Sequence, residues 1–414
     1  MFLYIDPGTG SMLFTILVGL LGAGFFAVKK LFIKLKFVFS GGAKAKANEN
    51  VLPFVIFSDS KRYWNLFGPI CDEFEKRKTP VVYMTASPDD PALTKKYEYV
   101  KCQFIGEGNK AFVKLNMLKA DVVLSTTPGL DVYQWKRSPE VKYYVHVLHA
   151  ANDVTGYRMF GLDYYDAVLV SGEYQKKQIR FLENLRNLPK KDVEIVGLTY
   201  LDEMKKRLES SSKAEEHRTT VLLAPSWGPS SIFNKYGEKI FDALLKTGYK
   251  IIVRPHPQSY TSEKELIEKL QNKYPQSENL QWNNDNDNFE VLKKSDILIS
   301  DFSGVIFDFS LVFDKPVIYA DTAHDKSPYD AWWVDDEMWT FKTVGKIGHK
   351  LTEENLPDIK DVIDNCLNYD SFARARDNAR KEAWANCGKA TELTVDYLVN
   401  KQHEISVQKE EGDK

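Results

Sequence analysis

From residue 51 onward, short runs of apolar, largely β-branched residues alternate with stretches whose apolar positions recur every three or four residues. The runs at 51–57, 81–85, 122–124, 142–148, 167–170 and 193–196 predict strands, and 64–76, 111–119 and 175–187 predict helices. The strand runs are continuous rather than alternating, the pattern of a parallel sheet covered by helices on both faces. At 205–219 the chain turns highly charged and Ser-rich, with Leu208 its one large hydrophobic residue, which reads as a helix end and an inter-domain linker. A second set follows, with strands at 221–224, 250–253, 297–300 and 317–319 and helices near 232–245 and 263–272. The expectation is an α/β chain with two doubly wound, Rossmann-like domains, 51–204 and 220–357, facing a cleft at the carboxyl ends of both sheets, where such folds bind ligands. Residues 358–414 add helices and a tail. The part to 399 is amphipathic enough to pack back on the first domain, while 407–414 is expected to fray. No internal repeat is visible.

The first fifty residues differ. Residues 12–28 carry no charge and only Thr15 as a polar side chain, enough for a helix of ~26 Å against a hydrocarbon core of ~30 Å. Phe32 and Ile33 can extend it while Lys29 and Lys30 snorkel to the headgroups. Asp6 precedes the run and Lys29, Lys30, Lys34 and Lys36 follow it, the reverse of a secretory signal. The positive-inside rule then keeps the lysines and the body cytoplasmic. We expect 1–39 to be a single-pass anchor with a basic flank and 40–50 a flexible polar linker. An in-plane helix on the cytoplasmic leaflet is the alternative.

Charge sharpens this division. The 414-residue chain has a formal net charge of −2, but residues 1–50 hold six lysines against Asp6 and Glu49, leaving an acidic body. Near-neutrality excludes a dedicated nucleic-acid binder. Hydrophobic content of 43% and charged content of 28% exclude a disordered or fibrous chain. Cys71, Cys102, Cys366 and Cys387 are scattered, with neither a disulfide-scaffold nor a zinc spacing. No cofactor is implied.

Four segments can carry chemistry. In Arg254-Pro255-His256-Pro257 a strand runs into a loop stiffened by two prolines, which holds the imidazole at the strand's carboxyl end. Arg254 can grip a phosphate or carboxylate bidentately. A turn whose histidine merely caps a neighbour is the plainer reading, and it fits this pattern less well. In Ser295–Phe309 a strand ends at Ser300, Ser303 can cap a helix over 304–312, and the free N–H groups there suit a phosphate. Gly304 permits close approach, and Asp308, one turn in, can accept from ribose hydroxyls. Taken alone, that segment is better explained as a plain capped αβ unit with Asp308 solvated; paired with His256 on a neighbouring strand, the site reading gains. In Val145–Arg158, His146 reads as core, whereas His149, past the strand end, divides evenly between a packed residue and a general base. In Leu223–Ser231, Ser226 or Ser231 can reach a phosphate, or Ser230 or Ser231 can cap the next helix. The run Asn284–Asn288 resembles the Asp-x-Asp of metal-dependent glycosyltransferases but is dense in turn formers, so we read it as a solvated loop and expect no metal site.

With these residues in view, the sequence resembles the CDP-glycerol glycerophosphotransferase family of teichoic-acid type enzymes. Arg254-Pro255-His256-Pro257 and Ser295–Phe309, with Lys315-Pro316-Val317-Ile318 downstream, resemble the family pattern closely. Ala224-Pro225-Ser226-Trp227 is similar to its Ala-Pro-Thr-Trp, although Gly228 replaces the usual Arg. Its Trp-His-Gly appears only as Leu148-His149-Ala150, a departure that bears on the acceptor. The resemblance spans roughly 140–325. It implies a GT-B fold with the nucleotide held mainly by the second domain and with His149 and His256 as essential histidines. Arg254, Ser226, Asp301, Ser303, Gly304 and Asp308 are then expected at the donor. The implied reaction moves a phospho-alditol from a CDP-linked donor to a hydroxyl of a lipid-linked or glycan acceptor, at a bacterial cell membrane. A GT-B glycosyltransferase using a UDP- or GDP-sugar remains the alternative enzyme, and a membrane scaffold without catalysis the alternative class.

Overall fold

The computed structural model describes residues 51–212, 217–320, 322 and 324–412. The expected anchor at 1–39 and linker at 40–50 lie outside them. Among the described residues no helix is long and apolar enough to cross a membrane.

Leu52–Lys414 forms one compact unit built on two wholly parallel sheets. The first contains β1 Leu52–Ser58, β2 Val81–Thr85, β3 Val100–Phe104, β4 Ala120–Ser125, β5 Val141–Val147, β6 Ala167–Val170 and β7 Asp192–Ile195. Their order is β3-β2-β1-β4-β5-β6-β7. The second contains β8 Thr220–Leu223, β9 Lys250–Val253, β10 Leu280–Trp282, β11 Ile297–Ser300, β12 Val317–Ala320 and β13 Gly348–Leu351, in the order β10-β9-β8-β11-β12-β13. β4, β6, β8 and β11 are buried at every position, as their unbroken apolar runs require. The strand order reverses between β1 and β4 and between β8 and β11, which opens a crevice at the carboxyl end of each sheet.

Three strands have no counterpart among the predicted ones: β3, β10 and β13. All three are edge strands. β3 and β10 bury only one residue each, so no continuous apolar run marks them. The single helix expected near 232–245 is two, Ile232–Tyr236 and Glu238–Leu245, broken at Gly237, whose φ of +52° lies in the left-handed region. The C-terminal helix Ala390–Gly412 continues through most of the segment expected to fray. It does pack back on the first sheet's domain: Val395 and Leu398 join that core, and Asp396 pairs with Arg77 at 2.6 Å.

The two sheets share a continuous apolar seam. Leu198, which precedes the helix Thr199–Ser210, and Leu201 and Met204 on it pack with Leu222, Ile306, Phe307, Trp339 and Trp384, and Tyr174 stacks on Trp339 at 4.3 Å. Into this seam Asp153 inserts a carboxylate that is 4% exposed. Its oxygens accept from the Trp339 and Thr340 backbone N–H groups, each at 2.8 Å, and also from Thr340 Oγ1 and Gln178 Nε2. Trp339 and Thr340 open the helix Trp339–Ile347, which has no side-chain cap of its own. Asp153, from the other sheet's domain, supplies the cap and complements the helix dipole.

Asp153→Ala leaves these buried donors unmet, at ~1–3 kcal/mol each before relaxation. The expected loss in urea denaturation is therefore about 3 kcal/mol, and Asp153→Asn, which keeps one acceptor oxygen, should lose less. A loss too small to measure would contradict the cap.

Candidate functional site

The carboxyl ends of the two sheets enclose a cavity of about 350 Å³. Arg62, Tyr63 and Asn65 line it from the segment after β1, His149 and Asn152 from the loop after β5, and Tyr200 from the helix after β7. The other wall is Ala224 and Pro225 after β8, Arg254–Pro257 after β9, Asn286 and Asn288 before β11, and Ser303, Gly304, Val305 and Asp308 after it.

His149 follows β5 by two residues, and its Nδ1 lies 2.8 Å from Thr126 Oγ1. Tyr63 packs on its ring at 4.9 Å between centroids. Burial, with Arg62 adding to it, lowers its pKa to about 4, so the imidazole is neutral at physiological pH. His256 faces it from the second sheet. Its Nδ1 accepts the Gln258 backbone N–H at 3.1 Å, and burial followed by Arg62 lowers its pKa to about 4 as well. Arg62 thus stands close enough to influence both imidazoles, one on each side of the cleft. His146, by contrast, is a core residue as expected, fully buried with Nε2 3.1 Å from the Tyr157 hydroxyl.

Arg254 is held in place by the loop before β11: its guanidinium donates to Asn283 Oδ1 and, at 2.8 Å, to the Asp285 carbonyl. The same loop supplies Asn288, which accepts from the Tyr200 hydroxyl at 2.8 Å and donates to Asp308 at 3.4 Å. The run 284–288, expected as a solvated loop, is therefore part of the site wall. Its amides matter, and among the described residues no group of His, Cys, Asp and Glu is arranged to hold a metal.

Asp308 sits where the helix Val305–Phe307 passes into a π-helical turn, Asp308–Val312, a distortion that often accompanies functional sites. Burial raises its pKa to about 7, against the opposing pull of Asn288 and Tyr200. Gly304 has an ordinary helical φ of −57°, so its role is space. A Cβ there would meet Asn152 Oδ1 at 3.1 Å, since the loop carrying His149 closes directly onto this turn.

Arg254, Ser303, Gly304, Asp308, His149 and His256 thus share one cavity. Ser226 and Asp301, expected at the donor, do not line it. Asp301 is 2% exposed and its carboxylate is occupied by its own chain: Oδ1 accepts from the Ser226 and Phe302 N–H groups at 2.8 Å, and Oδ2 from the Ile232 N–H at 3.0 Å. It braces the two loops at the β8/β11 switch point and caps the helix Ile232–Tyr236, a position where Ser231 makes no side-chain cap bond. Sequence reasoning missed Arg62, Tyr63, Asn65, Asn152, Tyr200 and Asn288. The signal for the first three was their place just past a buried strand's carboxyl end. Asn152 lay three residues from a histidine already singled out.

The architecture is GT-B-like, two parallel-sheet α/β domains about a cleft. The model of the family described as CDP-Glycerol:Poly(glycerophosphate) glycerophosphotransferase matches residues 162–354, just under half of the chain and most of the second sheet's domain. The resemblance carried by the motifs holds over these residues, which are similar to that family of transferases. No curated protein matches the sequence. Among solved structures, the wall teichoic acid polymerase TagF, soaked with CDPG, is 15% identical, covers 94% of this chain and 98% of its own, and superposes with a TM-score of 0.57. UDP-GlcNAc 2-epimerase from Methanocaldococcus jannaschii, in complex with UDP-GlcNAc and UDP, is 16% identical, covers 84% of this chain and all of its own, and has a TM-score of 0.55. The enzyme of that name from Neisseria meningitidis is 13% identical, covering 84% and 99%, with a TM-score of 0.53. These likenesses establish the fold.

The raised pKa of Asp308 makes a stability prediction with a definite sign. Between pH ~4 and ~7 the unfolded chain releases this proton while the folded one keeps it, so the folded state loses ground as pH rises through that window. Asp308→Asn removes the effect. The variant's melting temperature minus the wild type's should rise from pH 4 to 7 and level off above it; a difference independent of pH would contradict the assignment.

Proposed function

We propose that the protein transfers a glycerol phosphate, or a closely related phospho-alditol, from a CDP-linked donor to a hydroxyl of a lipid-linked or glycan acceptor. The observation that carries this reading is the meeting of two neutral histidines and two arginines, contributed by both domains, in one cavity. The family match on the second domain supports the choice of donor.

In this reading the donor's diphosphate lies between Arg254, His256 and the start of the Gly304 turn, whose N–H groups face an anion favourably. Asp308, Asn288 and Tyr200 face its sugar. The acceptor hydroxyl approaches from the first domain. His149 takes its proton as the oxygen bonds to the glycerol-side phosphorus, and the bond from that phosphorus to the oxygen of CMP breaks. His256 donates a hydrogen bond to the departing CMP phosphate, and Arg62, influencing both histidines, stabilises the phosphoryl group in flight. The products are CMP and the phospho-alditol-extended acceptor. The negative donor also offsets Arg62 and raises the basicity of both imidazoles. We further propose that residues 12–28 hold the chain at the cytoplasmic face of the membrane, where a lipid-linked acceptor meets a soluble nucleotide donor.

The test incubates the full chain with CDP-glycerol, CDP-ribitol, UDP-sugars and GDP-sugars, with a membrane-lipid extract as acceptor. CMP should be released from a CDP-alditol only when extract is present. His149→Ala and His256→Ala should each reduce that rate by about 100-fold or more, and Arg62→Ala should reduce it while the protein still binds donor. Turnover of a UDP- or GDP-sugar, or histidine variants within a few-fold of wild type, would overturn the proposal.

A further inference from the structure

The two histidines differ in which ring nitrogen is already engaged, and this difference bears on the proposed reaction. Thr126 stands at the carboxyl end of β4, beside β5. Its Oγ1 lies 2.7 Å from the Val147 carbonyl and 2.8 Å from His149 Nδ1. A hydroxyl has one proton and a carbonyl oxygen has none, so satisfying both contacts sends the Thr126 proton to Val147. Thr126 Oγ1 can then only accept from His149, which places the imidazole proton on Nδ1. Nε2 is left with a free lone pair. At His256 the relation is reversed: the Gln258 backbone N–H donates to Nδ1. A backbone amide cannot exchange roles, so Nδ1 is the bare nitrogen and the proton sits on Nε2.

We propose that Thr126 is a positioning residue that fixes His149 in its Nδ1–H form, so that the cleft presents a base on one wall and an N–H donor on the other before any ligand arrives. The tautomers are a property of the free protein. The roles they serve rest on the phosphotransfer reading above. A donor phosphate meets the His256 Nε2–H as a ready hydrogen-bond donor, and an acceptor hydroxyl meets the His149 Nε2 lone pair as a ready proton acceptor. In the opposite pair of tautomers neither contact could form without a prior proton shift. The hydroxyl does for His149 what a carboxylate or carbonyl does for many catalytic and metal-bound histidines. Because Thr126 is neutral, it orients the ring without charging it.

The experiment has two readouts on the full chain. Nitrogen-15 imidazole spectra of the free protein, assigned with His149→Gln and His256→Gln, should show His149 protonated at Nδ1 and His256 at Nε2. Thr126→Val should abolish the Nδ1–H preference at His149 and leave His256 unchanged. CMP release by Thr126→Val should fall about tenfold or more in kcat with donor KM within twofold, and Thr126→Ser should restore both the spectrum and the rate. Observation of both histidines as the Nε2–H form in the wild type, or a Thr126→Ser variant as impaired as Thr126→Val, would overturn the proposal. The wild-type and Thr126→Ser spectra decide the tautomers even if Thr126→Val does not fold. They also decide them if no CDP-donor is turned over, in which case the proposed function fails and the tautomer assignment is judged separately.

Discussion

One carboxylate links the fold to the chemistry. Asp153 lies four residues beyond His149 and caps a helix of the opposite domain. A buried anion is tolerable only when hydrogen bonds replace its water, and here the helix's first N–H groups and Thr340 do so. The loop from β5 therefore cannot be placed correctly unless the two domains are docked. Docking, in turn, brings Asn152 against Gly304 and His149 into the cavity opposite His256. A chain with either sheet misplaced would lose the cap, the Tyr174–Trp339 stack and the site together.

The cleft is lined by more cationic than anionic side chains. Arg62 and Arg254 both line it, and Arg254 is braced by an amide and a carbonyl rather than by a carboxylate. Both histidines are kept neutral by burial and by Arg62. The acid of the cavity wall, Asp308, is pushed toward its neutral form by burial. A site with two guanidiniums and one suppressed acid suits an anion, such as the diphosphate of the proposed donor.

What the sequence revealed follows from which forces act locally. Central strands announce themselves because burial on both faces demands unbroken apolar runs, as in β6 and β11. The edge strands β3 and β10 need no such run and left little trace. Arg254 and His256 were legible because flanking prolines at a strand's end have a local meaning. Arg62 and Asn288 were not, because their importance arises when distant segments meet. Asp301 shows the converse. A polar residue beside a motif reads as a ligand contact, yet its oxygens are occupied by three backbone N–H groups of neighbouring turns.

The central claim is that the donor's diphosphate lies between the two histidines, held from the second domain and exposed to the first. The most direct measurement is a crystal structure of the full chain carrying His149→Asn with CDP-glycerol bound. The account predicts the CMP-side phosphate against His256, Arg254 and the Gly304 turn, and the glycerol-side phosphorus facing position 149 and Arg62. A nucleotide bound outside this cleft, or one whose glycerol phosphate points away from position 149, would contradict it.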